Sequence, residues 1–174
     1  MKVLLLTLAA GLLAAAPART ALDDPTIVAI FDAANGYDIE AGQLALQKSH
    51  TKAVRDLAQQ FIHDHTAVRQ QGRDLAKKLG VTPTPPKENP LAPDHEKALK
   101  QLHGLSGSAF DKAYADEEVR YHQQVLDAVN TTLLPAIKNA ELKAFVEKVG
   151  PAFQGHLEAA KQLQKTLTTT SAGT

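Results

Sequence analysis

Four long segments of the chain repeat apolar residues every three or four positions, and this periodicity restricts the possible folds most strongly. The spacing matches the 3.6-residue turn of an α-helix and not the two-residue alternation of a strand. The composition agrees, because only 5% of the residues are aromatic and the apolar residues are mostly Ala, Leu and Val. The predicted helices cover residues 25–48, 51–79, about 106–134 and about 139–167.

One proline-rich connection separates the second and third predicted helices. Five of the nine prolines lie between Val81 and Pro93, which predicts a stiff crossover that carries a short extra helix over residues 94–103. The other connections are short. An up-down-up-down bundle needs only short loops, whereas one long crossover is typical of the ferritin-like topology. The sequence therefore predicts an all-α, ferritin-like four-helix bundle.

Local signals predict where the helices begin, end and bend. Asp24 is expected to cap the first helix, Gly80 to follow the end of the second, and Asn139 to cap the fourth. The third helix is expected to start at Ser106 or Ser108, and the pair Ser108 and Asp111 has the spacing of a capping box. The Gly150-Pro151 pair is expected to bend the fourth helix, and the tail from residue 168 to be frayed.

The first 18 residues are predicted to be a secretory signal peptide. Lys2 precedes an apolar run from Val3 to Ala16, and Ala16-Pro17-Ala18 offers small residues for cleavage. This run is shorter than the ~20 residues that a membrane span requires, although an uncleaved anchor is the alternative. Residues 19–174 are predicted to form one helical domain, with a core over about 25–167. It is expected to be periplasmic or secreted, without a membrane span after cleavage.

The composition excludes several classes of site and partner. The chain has no cysteine, so it has no disulfide, no thiolate metal site and no haem attached through Cys. Its 19 Lys and Arg are balanced by 19 Asp and Glu and are interspersed with them, which does not fit a nucleic-acid partner.

Histidines interrupt the apolar stripes of three predicted helices. His65 falls in the middle of the stripe on the second helix, and His122 and His156 do the same on the third and fourth. Asp38 is the acid closest to the centre of the first stripe, whereas Glu40 lies well away from it. A titratable side chain that points into a core needs a partner there.

These four residues are predicted to lie at one depth. Asp38 and His65 are about 12 and 15 residues from the connection between the first two helices, near residue 50. His122 and His156 are each about 17 residues from the connection between the last two helices, near Asn139. At 1.5 Å per residue, these offsets differ by only a few Å. Asp64 and Glu118 are expected to flank the layer. Asp111 lies about 16 Å along the helix from His122, so it is predicted to belong to the helix start instead.

Such a layer has the composition of a metal site. Imidazole suits zinc, copper and iron, and a carboxylate adds a hard donor. The predicted ligands are Asp38, His65, His122, His156, Glu118 and Asp64. Two alternatives remain open, a metal-free polar layer that fixes helix register or senses pH, and a haem held between two histidines. The other histidines, namely His50, His63, His95 and His103, are expected at the surface.

Four short motifs appear in an order that resembles a known family. They are Asp38-Ile39-x-x-Gly42-x-Leu44-Ala45, Phe61-x-x-Asp64-His65, Gly107-x-x-Phe110-Asp111-x-x-Tyr114 with His122, and Pro151-x-x-x-x-His156-Leu157. The chain is similar over about 25–167 to the ferritin-like proteins catalogued as domain of unknown function 4142. The resemblance implies a helical, ferritin-like fold and an exported protein of the bacterial envelope, with no established activity. Where the family usually has Glu, this chain has Asp38.

The sequence lacks the signature of a di-iron site. Ferritin-like di-iron proteins carry two Glu-x-x-His pairs, but Ile62, Val119 and Phe153 stand three residues before the three histidines. A mononuclear, histidine-rich site is therefore the better prediction. The leading interpretation is a non-enzymatic exported bundle that binds one ion of zinc, copper or iron. The alternatives are a metal-free structural or interaction module of the envelope and a metal-dependent oxidase.

Overall fold

The computed structural model describes the backbone of residues 22–171 and the side chains of residues 22–169, and it is all-helical over that range. The predicted signal peptide, residues 1–18, lies outside the described residues. A five-residue π-helical stretch, Val129–Leu133, connects α4 to α5. The α-helices are α1 (Asp24–Lys48), α2 (Lys52–Leu79), α3 (Ala92–His103), α4 (Gly107–Ala128), α5 (Leu134–Ala136) and α6 (Ala140–Ser171).

The four long helices enclose the core. Helix α1 packs chiefly against α2, and α4 packs chiefly against α6; α2 also contacts α6, and α1 contacts α4. The short helix α3 lies against α1 and α4. No helix within residues 22–171 combines the length and the apolar character that a membrane crossing requires.

The apolar core is divided into two clusters. One contains Phe31, Val146 and Phe153, and the other contains Phe61 and Phe110. Along α1, Asp38 lies between the residues that belong to the two clusters, and His65 has the same place on α2. A polar layer therefore crosses the core at the depth where the sequence predicted one.

Several predicted helix ends are confirmed. Gly80 follows α2 in the left-handed conformation, at φ 67°, which costs a glycine little because it has no Cβ atom. The carbonyl oxygen of the Asn139 side chain accepts hydrogen bonds from the backbone of Glu141 (2.9 Å) and Leu142 (3.1 Å) at the start of α6.

The expected cap of α1 is wrong by one residue. Asp23 is the N-cap, and its carboxylate accepts a hydrogen bond of 2.9 Å from the backbone of Thr26. Asp24 already lies in the first turn, so its carboxylate can contact the segment just before α6. It accepts hydrogen bonds of 2.9 Å each from the backbone of Lys138 and Asn139.

Of the two predicted starts of the third helix, Ser106 is confirmed and the capping box at Ser108 is wrong. Helix α4 begins at Gly107, and Ser106 is its N-cap residue. Asp111 is buried and accepts hydrogen bonds from the hydroxyls of Ser49 (2.5 Å) and Thr51, so it is committed to the turn between α1 and α2.

The C-terminal helix is longer than expected. Helix α6 continues past Pro151 and beyond residue 168 to Ser171, so residues 168–171 do not form the frayed tail that was predicted. The hydroxyl of Thr168 donates a 2.9 Å hydrogen bond to the carbonyl of Gln164. This side-chain bond keeps the threonine compatible with the helical backbone.

Candidate metal centre

The four long helices each contribute polar side chains to the layer. Asp38 comes from α1, His65 from α2, Glu118 and His122 from α4, and His156 from α6. Their exposed fractions are 2%, 1%, 1%, 1% and 6%, respectively. The structure therefore brings five of the six residues that the sequence singled out into one buried cluster.

At the centre of the layer, side-chain nitrogen and oxygen atoms from different helices lie close together. His65 Nε2 lies 3.1 Å from His156 Nδ1 and 3.4 Å from Asp38 Oδ2. His122 Nε2 lies 4.0 Å from the same Asp38 oxygen. One nitrogen from each of the three histidines lies within 4.8 Å of the other two.

The remaining nitrogen of each imidazole is held by a partner at the edge of the layer. Asn35 Oδ1 accepts from His65 Nδ1 at 2.9 Å, and its orientation is fixed because Asn35 Nδ2 donates to the Phe31 carbonyl. The backbone carbonyl of Glu118 accepts from His122 Nδ1 at 3.0 Å. Each of these acceptors leaves the inward nitrogen of a neutral ring with a free lone pair.

Asp64 lies on the outer side of the layer. Its side chain is 37% exposed, and its carboxylate accepts from His156 Nε2 at 3.0 Å. The inward nitrogen of His156, Nδ1, is then the acceptor of a neutral ring. Asp64 is thus placed to orient a histidine and not to contact the centre directly.

Burial and charge divide the layer into two sides. Burial, together with the neighbouring histidines, lowers the pKa of His65 well below its usual value; burial also lowers the pKa of His156, although Asp64 opposes that shift. His122 differs because, although burial acts to lower its pKa, Asp38 and Glu118 raise it to about 9. Burial raises the pKa of Asp38 well above its usual value. Asp38, Glu118 and His122 form the acidic side of the layer. Without a cation, Asp38 and His122 on this side keep their protons to higher pH than His65 and His156 do.

Five buried polar atoms make no hydrogen bond to any described residue. They are His122 Nε2, Asp38 Oδ1, both carboxylate oxygens of Glu118, and the Tyr114 hydroxyl. Leaving such groups unpaired in a core costs about 1–3 kcal/mol each, and more when the group is charged. All but the hydroxyl are potential metal donors, and this fits a cation better than it fits a self-contained hydrogen-bonded layer.

Sequence reasoning did not identify Asn35 or Tyr114 as part of the site. Asn35 is fully buried, and it lies three residues before Asp38 on the same face of α1. At ~100° per residue, Asn35 lies about 60° further from the centre of the apolar stripe than Asp38 does, so the angular argument that selected Asp38 does not select Asn35. Tyr114 lies one turn before Glu118 on α4 and is fully buried as well.

The surface position expected for His95 is wrong. His95 is only 6% exposed, and its ring stacks on Tyr37 with the ring centroids 4.2 Å apart. Its Nε2 contacts Glu40 Oε2 at 2.9 Å. Helix α3 is folded onto α1, and the resulting interface covers a histidine that the sequence places in a connection. His50, His63 and His103 are exposed, as predicted.

Comparisons with known proteins give a family and no closer relative. No curated protein and no solved structure matches the chain. One family model, described as a domain of unknown function (DUF4142), matches residues 9–163. This range contains all four long helices except the last residues of α6, together with every residue of the buried layer. The chain therefore belongs to the DUF4142 family.

Proposed function

We propose that the protein is an exported, ferritin-like four-helix bundle that holds one divalent transition-metal ion in its core. The proposed ligands are His65 Nε2, His122 Nε2, His156 Nδ1 and Asp38 Oδ2. Three imidazoles and one carboxylate suit zinc best, with copper or iron as alternative ions. Four protein ligands leave no open position for a substrate, which favours a holding role over catalysis.

The contact between His65 and His156 carries this proposal. Asn35 and Asp64 accept from the outward nitrogens of the two rings, so the inward nitrogens carry lone pairs, and these nitrogens lie 3.1 Å apart. Two lone pairs at this distance repel unless a proton or a cation lies between them. Since the pKa values of both rings are lowered, a proton is disfavoured. One metal ion between the two rings would accept both lone pairs.

The distances also suit tetrahedral coordination. Bonds of about 2.0–2.1 Å to a central zinc ion place any two ligand atoms about 3.3 Å apart. The corresponding separations here are 3.1 Å for His65 and His156, 3.4 Å for His65 and Asp38, and 4.0 Å for His122 and Asp38. The first two are close to this value, and a movement of His122 toward Asp38 would shorten the third.

Electrostatics supports the same assignment. Asp38 and Glu118 are two carboxylates at 2% and 1% exposure, and burying them as free anions would be expensive. A divalent cation supplies the opposite charge where it is needed. It would also displace the proton that these acids hold on His122.

The fold and the N-terminal sequence support the other parts of the proposal. A long connection separates the paired helices α1 and α2 from the paired helices α4 and α6, which is the arrangement that a ferritin-like bundle requires. The charged, apolar and small-residue regions of residues 1–18 support export.

Metal titration of untagged protein tests the proposed centre. After treatment with a chelator, the protein is expected to bind about one equivalent of Zn²⁺ by elemental analysis. It should also give the intense visible absorption of tetrahedral Co²⁺ when cobalt is used instead. His65→Ala and His122→Ala are each expected to abolish binding.

His63→Ala is the matched control, because His63 is exposed on the same helix two residues from His65. It should bind one equivalent, as the unmodified protein does. A protein that stays metal-free after dialysis against zinc, copper and iron would overturn the proposal and favour a metal-free envelope module. Oxygen-dependent turnover with Fe(II) or Cu(I) would instead favour an oxidase.

A further inference from the structure

The proposed ion leaves part of the layer unexplained. Both carboxylate oxygens of Glu118 and the second carboxylate oxygen of Asp38 still have no hydrogen-bond donor among the described residues. The two side chains are almost completely buried. His122 Nδ1 lies 3.5 Å from Glu118 Oε2, but this nitrogen donates to the Glu118 backbone carbonyl instead. Burying two neighbouring carboxylates without hydrogen-bond donors at these oxygens is costly.

The geometry of this acidic side fits a second cation. One donor atom from each of Asp38, Glu118 and His122 lies within 4.8 Å of the other two, and this set is distinct from the three-histidine set. A cation bound through oxygens at about 2.1–2.5 Å holds its donors roughly 3–5 Å apart. His122 Nε2 is already assigned to the first ion, so the second position is lined by carboxylate oxygens.

Two further features complete this position. A small cavity of about 10 Å³, lined in part by Asp38 and Glu118, lies beneath α3. It has room for about one water molecule, which a hard cation retains readily as a ligand. The Tyr114 hydroxyl, one turn before Glu118 on α4, is buried and has no hydrogen-bond partner among the described residues. A rotation of Glu118 that let it accept from this hydroxyl would fix the orientation of the carboxylate.

We infer that Asp38 Oδ1, Glu118 and a water in this cavity form a second cation site for a hard divalent ion such as Mn²⁺ or Mg²⁺. Asp38 bridges the two ions, so the inference rests on the proposed function. Carboxylate and water ligands suit these ions, whereas the histidine-rich position suits zinc. The two sites are therefore not equivalent, and each selects its own class of metal.

The second ion should bind more weakly than the first. Two divalent ions that share one carboxylate repel each other, and only Asp38 lies directly between them. The ion at the histidines must therefore be bound first, and the second must be tested on protein that already contains it. Mn²⁺ does not displace Zn²⁺ from nitrogen ligands, because zinc binds such sites more tightly.

The test is a Mn²⁺ titration of untagged protein loaded with one equivalent of Zn²⁺. Binding is measured as the loss of the free Mn²⁺ signal in electron paramagnetic resonance. One further equivalent of Mn²⁺ is expected to bind. Glu118→Gln should abolish Mn²⁺ binding and retain one equivalent of Zn²⁺. Glu117→Gln is the matched control, because Glu117 lines the same cavity, pairs with Arg120 and is not a proposed ligand.

Tyr114→Phe gives a second, gentler variant if Glu118→Gln does not fold. Loss of the orienting hydroxyl should weaken Mn²⁺ binding about tenfold or more without changing zinc stoichiometry. Zinc binding without any Mn²⁺ binding would overturn this inference and leave the proposed function intact. Mn²⁺ binding that is unchanged in both Glu118→Gln and Tyr114→Phe would also overturn it. A protein that binds no Zn²⁺ would remove both proposals.

Discussion

Each imidazole in the buried layer has one nitrogen that donates outward and one that faces the centre. The outward acceptors are chemically different, namely an amide for His65, a backbone carbonyl for His122 and a partly exposed carboxylate for His156. They all have the same effect, since each fixes the ring orientation and the position of the proton. The three rings are thus prepared for one common ligand before it arrives.

We expect the stability of the metal-free protein to fall as the pH rises from 6.5 to about 9. The pKa of His122 is raised in the folded state to about 9, so its contribution is complete below pH 6.5 and is lost as the pH rises through 9. The loss should be on the order of 3 kcal/mol in the free energy of unfolding. Urea denaturation at a series of pH values measures it.

Two comparisons make the pH prediction specific. His122→Gln should remove most of the decline, because glutamine does not titrate. Saturating Zn²⁺ should also remove it, since the ion takes the place of the proton and binds better as the pH rises. A metal-free protein whose stability stays flat across this window would contradict the prediction.

We expect Asp64→Asn to weaken zinc binding without unfolding the protein. Asp64 orients His156 from the edge of the layer, and the loss of such an outer carboxylate typically lowers metal affinity about 10- to 100-fold. Competition with a chromophoric chelator measures the affinity. Asp74→Asn, an exposed change on the same helix, should leave it unaltered. Equal affinities for the two variants would remove Asp64 from the site.

At the scale of single elements, the contact between α1 and α2 depends on a residue without a side chain. A Cβ atom placed on Gly42 would lie 2.8 Å from Ile62 Cγ1 and 3.3 Å from the Ala58 carbonyl oxygen. The first distance is shorter than any normal contact and the second is tight against the backbone, so an alanine here must displace the Ile62 side chain or the helix that carries it. Gly155 on α6 has no atom within 4 Å of the same position.

We expect Gly42→Ala and Gly155→Ala to have opposite effects on stability. Both changes remove an unfavourable helix residue, which is worth about 0.5–1 kcal/mol. At Gly42, overpacking that costs about 1–3 kcal/mol outweighs this gain, so the protein should be destabilised. At Gly155 the gain should remain. Thermal unfolding of the two variants measures the difference, and similar melting temperatures would contradict it.

The elements also show which features the sequence could and could not predict. Periodicity located the long helices, and angular position identified Asp38, His65, His122 and His156 because both depend only on spacing within one helix. The features that spacing missed join distant residues: Ser49 and Thr51 bond to Asp111 across 62 and 60 positions, and buried His95 contacts Glu40 across 55 positions. Such contacts depend on how helices pack, which spacing alone does not determine.

At the scale of the whole molecule, the layer lies between two apolar clusters and joins all four long helices. Its polar groups interrupt a core that has no disulfide to support it. Without an ion, several of them remain unpaired. A bound ion should therefore stabilise the folded state as a whole.

We expect zinc to raise the melting temperature of the unmodified protein. An ion present at 100 times its dissociation constant adds about 2.7 kcal/mol to the stability, and each kcal/mol raises the melting temperature of a domain of this size by roughly 2–4 °C. Calorimetry with zinc and with a chelator measures the shift. His63→Ala should show the same shift and His65→Ala none. An equal shift in both would place the zinc elsewhere.

The distribution of the four proposed ligands over the chain has a consequence for the order of folding. Asp38 and His65 belong to the first helix pair, and His122 and His156 belong to the second, so neither half alone offers more than two donors. A chain that crosses a membrane unfolded would carry no ion with it. The protein would acquire its metal in the compartment where the two helix pairs fold together. The fraction of sites occupied would then depend on the concentration of the metal in that compartment.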